Sequence, residues 1–480
     1  MSSVRRSVAY AAAESQLTFV VQFATAIVIA RLLTPSEIGV YSIAFVALSL
    51  AHVLRDFGVV SYLIKEPELN EGKVRAASAI SFSLSWTIAL VIFLASFPIA
   101  WFYNEPRLAP LVWVLATNFV MIPFGAVSMA IIRREMRMGR IFAIRTASAV
   151  VGSALSITLA LLGFGSMSLA LGNVANTATT MIGARLSRPP WLALWPSFKG
   201  VRGILTFSGQ SLASNLLIES SRAAPDAVLG RVQGPAFVAL FGRAAGLVDV
   251  FARFMSQAMW SVTLPYFSKV GREGGAVGYA LAHAQAHLVG IAWPFYAVLG
   301  LSAHPVMLTL FGEQWLPSIP VLHWLAGFGA ATAATMFAST ALIAADRAGR
   351  EVRMSAKVHG LRVAVVLAAA PFGIVPLAIG LSCAAVVEIA IVAIEVRRTL
   401  DAPLRTLAAH YARSAVLAAW SAVPALGLVL LDRMQALRLG GLTLLVLASA
   451  AAWLSGVFLV RHPIAAEVRA LAERVRASLD

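Results

Sequence analysis

Residues Ala30 to Ile64 read ARLLTPSEIGVYSIAFVALSLAHVLRDFGVVSYLI. After a short Thr-Pro turn comes an apolar stretch long enough to cross a bilayer, with Arg55 and Asp56 toward its far end. A second apolar run lies just upstream, so the segment reads as a hairpin of two spanning helices. The whole chain has this character: of 480 residues 59% are hydrophobic and 12% charged, and the mean hydropathy is +0.82. Soluble chains carry about 25% charged residues. Such a composition excludes an ordinary globular enzyme and makes lipid the main solvent.

Working outward, apolar runs bounded by charge, Gly and Pro place spans at residues 8–33, 38–64, 76–103, 109–132, 141–163 and 167–186. A second series follows at 203–231, 236–264, 280–303, 320–345, 355–373 and 376–397, then 409–431 and 439–460. The expected fold class is all-α: a polytopic membrane protein of about fourteen transmembrane helices. Residues 1–200 and 201–400 form two pseudo-symmetric six-helix bundles, 401–463 two additional helices, and 464–480 an amphipathic cytoplasmic tail. Between Pro371 and Pro376 a tight turn and a kinked single helix fit the sequence equally. The first run has no A-x-A cleavage pattern and reads as a retained helix.

The net charge of +16 would suit nucleic acid only if it were gathered on one solvated face. Instead it is spread between apolar runs and alternates with topology: the loops assigned to the cytoplasm hold roughly 26 Lys and Arg, the opposite loops roughly 5. Both termini are therefore expected in the cytoplasm, and no nucleic-acid partner is. A single cysteine, Cys383, excludes a disulfide framework and a cysteine metal cluster. His283 and His287 are four residues apart but lack an H-E-x-x-H pattern, so no metal and no cofactor is expected.

Shifting the chain by about 200 residues places Arg31 on Arg231, Pro35 on Pro235, Gly39 on Ala239 and Tyr41 on Phe241. Each set falls at the outward turn between the first two helices of its half. The repeat preserves orientation, as in two parallel bundles related by an axis along the membrane normal.

Ionisable groups inside spans are costly and normally face a partner or a wet cavity. Here they are Glu14, Arg55 and Asp56 in the first half, Glu219, Arg222 and Asp226 on the seventh span, and Arg243, Asp249 and Arg253 on the eighth. Glu219 and Arg222, Arg222 and Asp226, and Asp249 and Arg253 are spaced to form local ion pairs, which is the plain structural alternative. Arg243 has no such neighbour and suits forked recognition of an anion. Pro225 breaks a backbone hydrogen bond beside Arg222 and Asp226. Glu388 is deep, has no local cation, and reads as a candidate proton carrier.

The hairpin at Ala30–Ile64 resembles the first hairpin of Wzx-type polysaccharide flippases of the multidrug/oligosaccharidyl-lipid/polysaccharide exporter superfamily. RREMRMGRIFAIRTASAVVGSALSITLALLGFG at Arg133–Gly165, the stretch Pro225–Val270 ending in LPYFSK, and LFGEQWLPSIPVL at Leu310–Leu322 are similar to further parts of that family. The resemblance implies a V-shaped pair of bundles that moves undecaprenyl-diphosphate-linked oligosaccharide to the outer leaflet of the bacterial inner membrane by rocking. Arg55, Arg222, Arg243 and Arg253 would meet the diphosphate. Glu14, Asp56, Glu219, Asp226, Asp249 and Glu388 are the ion-coupling candidates, for a proton or sodium. Membrane lipids, a glycan polymerase and glycosyltransferases would be the partners. The carboxylates offset the arginines more than is usual for that family. A drug antiporter of the same superfamily is the alternative. A glycan polymerase or ligase, the enzymatic reading, would need a long outward loop with catalytic groups, and the longest one, His304–Ile319, offers Glu313 alone among carboxylates.

Overall fold

The computed structural model describes residues 2–56, 59–188, 196–198, 201–431, 434, 437 and 439–479. Among them no strand occurs. The helices of the first half are α1 (Ser2–Leu32), α2 (Pro35–Asp56), α3 (Val59–Lys65), α4 (Glu71–Tyr103), α5 (Leu108–Met121), α6 (Pro123–Arg134), α7 (Met138–Leu161), α8 (Ser166–Leu186) and α9 (Val201–Val232). There follow α10 (Pro235–Arg272), α11 (Val277–Leu301), α12 (Ala303–Phe311), α13 (Ile319–Ala333), α14 (Ala338–Ala344), α15 (Ala348–Ala369), α16 (Ile374–Leu400), α17 (Leu404–Leu430), α18 (Leu439–Leu459) and α19 (Ile464–Leu479). Two compact units result, Met1–Ala239 and Leu240–Asp480. The first takes in α9, which packs on α2 and α4. The division expected at residue 200 lies outside the described residues.

The expected spans fall largely on helix, but 109–132 is divided between α5 and α6, 320–345 between α13 and α14, and 38–64 is described as α2 and α3, with residues 57 and 58 outside the described residues. Eleven helical stretches among the described residues are long and apolar enough to cross a membrane, or twelve if α5 and α6, bent by 52°, count as one. Among the described residues the expected count of fourteen is thus not confirmed; α8 and α9 are not among the stretches that pass on apolarity. Asn173, Asn176, Thr177, Thr179 and Thr180 crowd α8, while α9 carries Glu219, Arg222 and Asp226. Such faces must turn toward protein or water.

Local chemistry fixes the boundaries. Thr34 Oγ1 accepts from Glu37 N–H at 3.3 Å while Glu37 Oε2 accepts from Thr34 N–H at 2.8 Å, a capping box with Pro35 in the first turn. The hairpin repeat is visible in these limits: α1 ends at Leu32 and α2 begins at Pro35, while α9 ends at Val232 and α10 begins at Pro235. Between Pro371 and Pro376 the chain makes a 3-10 turn over Ala370–Phe372 and passes through Gly373 at φ 116°, so α15 and α16 are separate helices. His304–Ile319, expected as a loop, is mostly helical: α12 leads into a 3-10 turn over Glu313–Ser318. In the first unit α7 and α8 meet at Gly152 and Gly172. A Cβ on Gly172 would come within 2.7 Å of Gly152 O, so only glycine permits this approach.

The turn before α19 is pinned in the second unit by His462, only 1% exposed. Its Nδ1 accepts from Ile464 N–H at 3.3 Å, which leaves Nε2 to donate to Ser414 Oγ at 2.9 Å. Burial lowers this imidazole to about 4 from the usual 6.5, and the positive charges of His287, His410 and Arg413 act in the same direction. Between those two values the unfolded chain holds the extra proton, so stability is full above pH 6.5 and declines as the pH falls toward 4. Over that window the loss from His462 should amount to about 2–3 kcal/mol. Thermal unfolding in detergent at pH 7.5 and 4.5 should show His462→Gln losing less than the parent; equal losses would refute the assignment.

Candidate functional site

In the first unit α1 and α6 both pack on α7, and charged residues of α1, α2 and α6 act on Arg145 of α7. Glu14 on α1 and Arg55 on α2 are half-buried, and Arg133 and Arg145 are exposed. Arg145 lies close enough to Glu14, Arg133 and Arg55 for all three charges to act on it. This cluster therefore has three guanidiniums to one carboxylate. Arg55 also borders a recess lined by Val59, Leu63, Ser81 and Val127. Its charge reaches His52, whose ring lies 4.7 Å from that of Phe119. The Asp56 side chain lies outside the described residues.

On α9, Glu219 and Asp226 are half-buried and Arg222 is exposed. The helix runs through Pro225 without a break in assignment. Asp226 lies near Tyr103, at the end of α4, closely enough for its charge to act on the phenol.

In the second unit the guanidinium of Arg243 lies over two aromatic rings. Its Cζ lies 4.7 Å from the ring centre of Phe311 and 4.5 Å from that of Trp315, both almost wholly buried. Cation–π attraction of this kind contributes about 2 kcal/mol where water is excluded. The LFGEQW segment thus wraps the start of α10, and Ser318 Oγ secures it by donating to Leu240 O at 2.8 Å. Further along α10, Asp249 and Arg253 are exposed, one helical turn apart. Asp249 acts electrostatically on Tyr296, whose hydroxyl donates to Val248 O at 3.2 Å.

Glu388 has the cation that its own helix did not offer. Arg362 on α15 donates from Nε to Oε1 and from its terminal nitrogen to Oε2, both at 2.7 Å. The side chains are 22% and 2% exposed respectively, and the guanidinium also lies 5.0 Å from the Phe328 ring centre. Among the described residues no group of three His, Cys, Asp or Glu could hold a metal. Nδ1 of His287 instead meets the His283 carbonyl at 2.8 Å.

Sequence reasoning passed over Arg145 and Arg362. Of 38 Lys and Arg, the two loop sets used for topology take up 31. The seven left inside spans are Arg55, Arg145, Arg222, Arg243, Arg253, Arg362 and Arg413, and only four had been singled out. That subtraction was the available signal.

The profile of the family described as polysaccharide biosynthesis protein matches residues 28–320. The chain belongs to that polysaccharide biosynthesis family. The matched residues contain Arg55, Arg133, Arg145, Arg243, Phe311 and Trp315, but not Glu14, Arg362 or Glu388. This family member is 26% identical over 309 residues to the lipopolysaccharide biosynthesis protein WzxC of Escherichia coli K12, an alignment covering 63% of this chain and 62% of that one. It is 23% identical over 325 residues to the succinoglycan biosynthesis transport protein ExoT of Rhizobium meliloti, covering 68% and 66%. The chain thus spans slightly less than two thirds of the length of both. Among solved structures it is similar to the lipid II flippase MurJ in an inward closed conformation, with a TM-score of 0.70, 13% identity, and 93% and 98% of the two chains covered. A multidrug resistance MATE family transporter of the MOP superfamily, inward-facing, gives 0.60 at 17% identity, covering 80% and 96%. These likenesses establish an all-helical, multi-pass membrane fold.

The Arg362–Glu388 pair has a measurable signature. Removing one partner of a buried pair leaves the other charge uncompensated and costs about 3–5 kcal/mol. Glu388→Ala and Arg362→Ala should each destabilise on that scale, whereas Arg362→Met combined with Glu388→Leu should cost less than either. Unfolding midpoints in detergent check this; losses that simply add would contradict the pairing.

Proposed function

We propose that this chain is a flippase that carries an undecaprenyl-diphosphate-linked oligosaccharide from the cytoplasmic to the outer leaflet of a bacterial inner membrane, for O-antigen, capsule or exopolysaccharide synthesis. The observation that carries the reading is Arg145, close enough to Arg55, Arg133 and Glu14 for their charges to act on it, among helices long and apolar enough to span a membrane. Guanidinium forks match diphosphate oxygens, and three against one carboxylate leaves the cluster cationic. Membership of the polysaccharide biosynthesis family, and relatives named for lipopolysaccharide biosynthesis and succinoglycan transport, support the glycan as cargo.

The physical task is clear for such a cargo. Each sugar hydroxyl would lose its water partners in hydrocarbon, so the glycan needs a polar path, while the polyprenyl tail can remain in lipid. Arg222, Arg243 and Arg253 are the further guanidiniums that would meet the headgroup, and that of Arg243 lies over the rings of Phe311 and Trp315. Glu14, Asp56, Glu219, Asp226, Asp249 and Glu388 are the groups through which a proton or sodium would drive alternating access. Both termini face the cytoplasm in this reading. A polymerase and glycosyltransferases would work on the same glycan.

The experiment is complementation of a strain lacking this gene. Arg145→Ala and Arg243→Ala should each abolish surface glycan, with the lipid-linked oligosaccharide accumulating inside while the variant still inserts into the membrane. Normal glycan display by a well-expressed variant would refute the role given to that arginine. A drug antiporter would leave glycan display independent of the gene.

A further inference from the structure

We propose that the second unit holds one anionic phospholipid of the surrounding bilayer, with an acyl chain in an apolar groove between α16 and α17 and the phosphate at Arg397 and Arg405, beside the end of that groove. The inference is independent of the cargo and uses only the membrane fold.

The groove follows from the packing. α16 packs chiefly on α13 and α15, and α17 chiefly on α11 and α18, so these two consecutive helices leave a space of about 610 Å³ between them, measured out to its open side. Leu281 of α11, Val392 of α16 and Leu407 of α17 are among its walls. Three polar side chains also border it, and each is already engaged. The Tyr411 hydroxyl donates to Ala334 O, Gln285 donates to Ala333 O and accepts from Phe337 N–H at 3.4 Å, and Thr335 Oγ1 donates to Thr332 O at 3.1 Å. These bonds satisfy backbone groups at the break between α13 and α14, as a break at membrane depth requires. What the groove offers a ligand is therefore chiefly apolar surface.

Its length and its charged end identify the occupant. The lining runs from Ile389 to Val396 on α16 and from Leu404 to Tyr411 on α17, a rise of about 10 Å on each helix. The hydrocarbon of one leaflet is about 15 Å deep, so a single acyl chain can lie along the groove while its headgroup stays at the membrane surface. Arg397 follows the lining residue Ala393 by four positions, and Arg405 precedes the lining residue Ala408 by three, which sets each arginine on the helical row of a groove residue. Both are exposed, and among the described residues neither they nor Arg398 make an ion pair. Asp401, the acid of the same connection, makes none either, and Glu395 is taken by Arg350 at 3.4 Å. An apolar groove ending in unpaired guanidiniums at a membrane surface selects a lipid with a negative headgroup. Each arginine so placed strengthens binding by roughly fivefold, a gain that a headgroup without net charge does not obtain.

The test is native mass spectrometry of the full chain in detergent, titrated with palmitoyl-oleoyl phosphatidylglycerol or with phosphatidylcholine of the same acyl chains. The wild type should retain one phosphatidylglycerol at least about tenfold more tightly than phosphatidylcholine. Arg397→Gln combined with Arg405→Gln should remove that preference. Ala393→Phe fills the groove, keeps both arginines, and should remove tight retention of phosphatidylglycerol; Ala408→Phe, at an exposed position, replaces it if that variant does not fold, with the same expectation. Equal retention of the two lipids by the wild type, a preference that persists without the arginines, or tight binding that survives filling of the groove would overturn the site. So would a second copy of the chain in place of the lipid, or loss of phosphatidylglycerol to an equal concentration of farnesyl diphosphate. The carrier reading is judged separately, by the glycan display of Arg145→Ala and Arg243→Ala.

Discussion

A charge placed in a membrane-spanning helix has to be matched, because hydrocarbon offers it nothing. The internal chemistry of this protein follows from that constraint, and the charged groups meet it in different ways. Glu388 is matched by a forked ion pair from the neighbouring helix. Arg243 is matched by two aromatic faces that replace water over the flat guanidinium. Around Arg145 the matching is partial: Glu14 attracts it, Arg133 and Arg55 repel it, and the side chain stays exposed. Incomplete compensation in an accessible cluster is the property expected of a site that receives an anion.

This division explains why the arginines are not equivalent. Arg243 is stacked on residues that form the LFGEQW segment, so the same contact orders the segment and aims the guanidinium. Arg362 is instead held by the carboxylate of Glu388 at 2.7 Å.

How much of this the sequence revealed depends on the range of the interaction. The positions of the helices were legible because each needs only a run of apolar residues and a boundary, and Pro35, Gly234 and Gly373 supply boundaries locally. The offset of about 200 residues between the two outward turns was legible because it repeats a short pattern. The turn between Pro371 and Pro376 was undecided because it rests on a backbone angle at Gly373. The count of fourteen spans is not confirmed by apolarity alone, because α8 and α9 have helical length but carry polar and charged residues. The partner of Glu388 was invisible because spacing rules on one helix test neighbours three or four positions away, and Arg362 lies 26 positions away on another helix. The aromatic clamp on Arg243 was hidden for the same reason, although both of its parts had been marked separately.

The central claim is that guanidiniums inside the membrane domain receive a diphosphate headgroup on its way across. The most direct measurement is transbilayer movement of a fluorescent undecaprenyl-diphosphate-linked oligosaccharide in liposomes containing the purified chain, followed by quenching from outside. The account predicts rapid equilibration between leaflets with the wild type, and slow movement, as in empty liposomes, when Arg55 and Arg145 are both replaced by Gln. Equal rates for the two proteins, or no acceleration by the wild type, would contradict it.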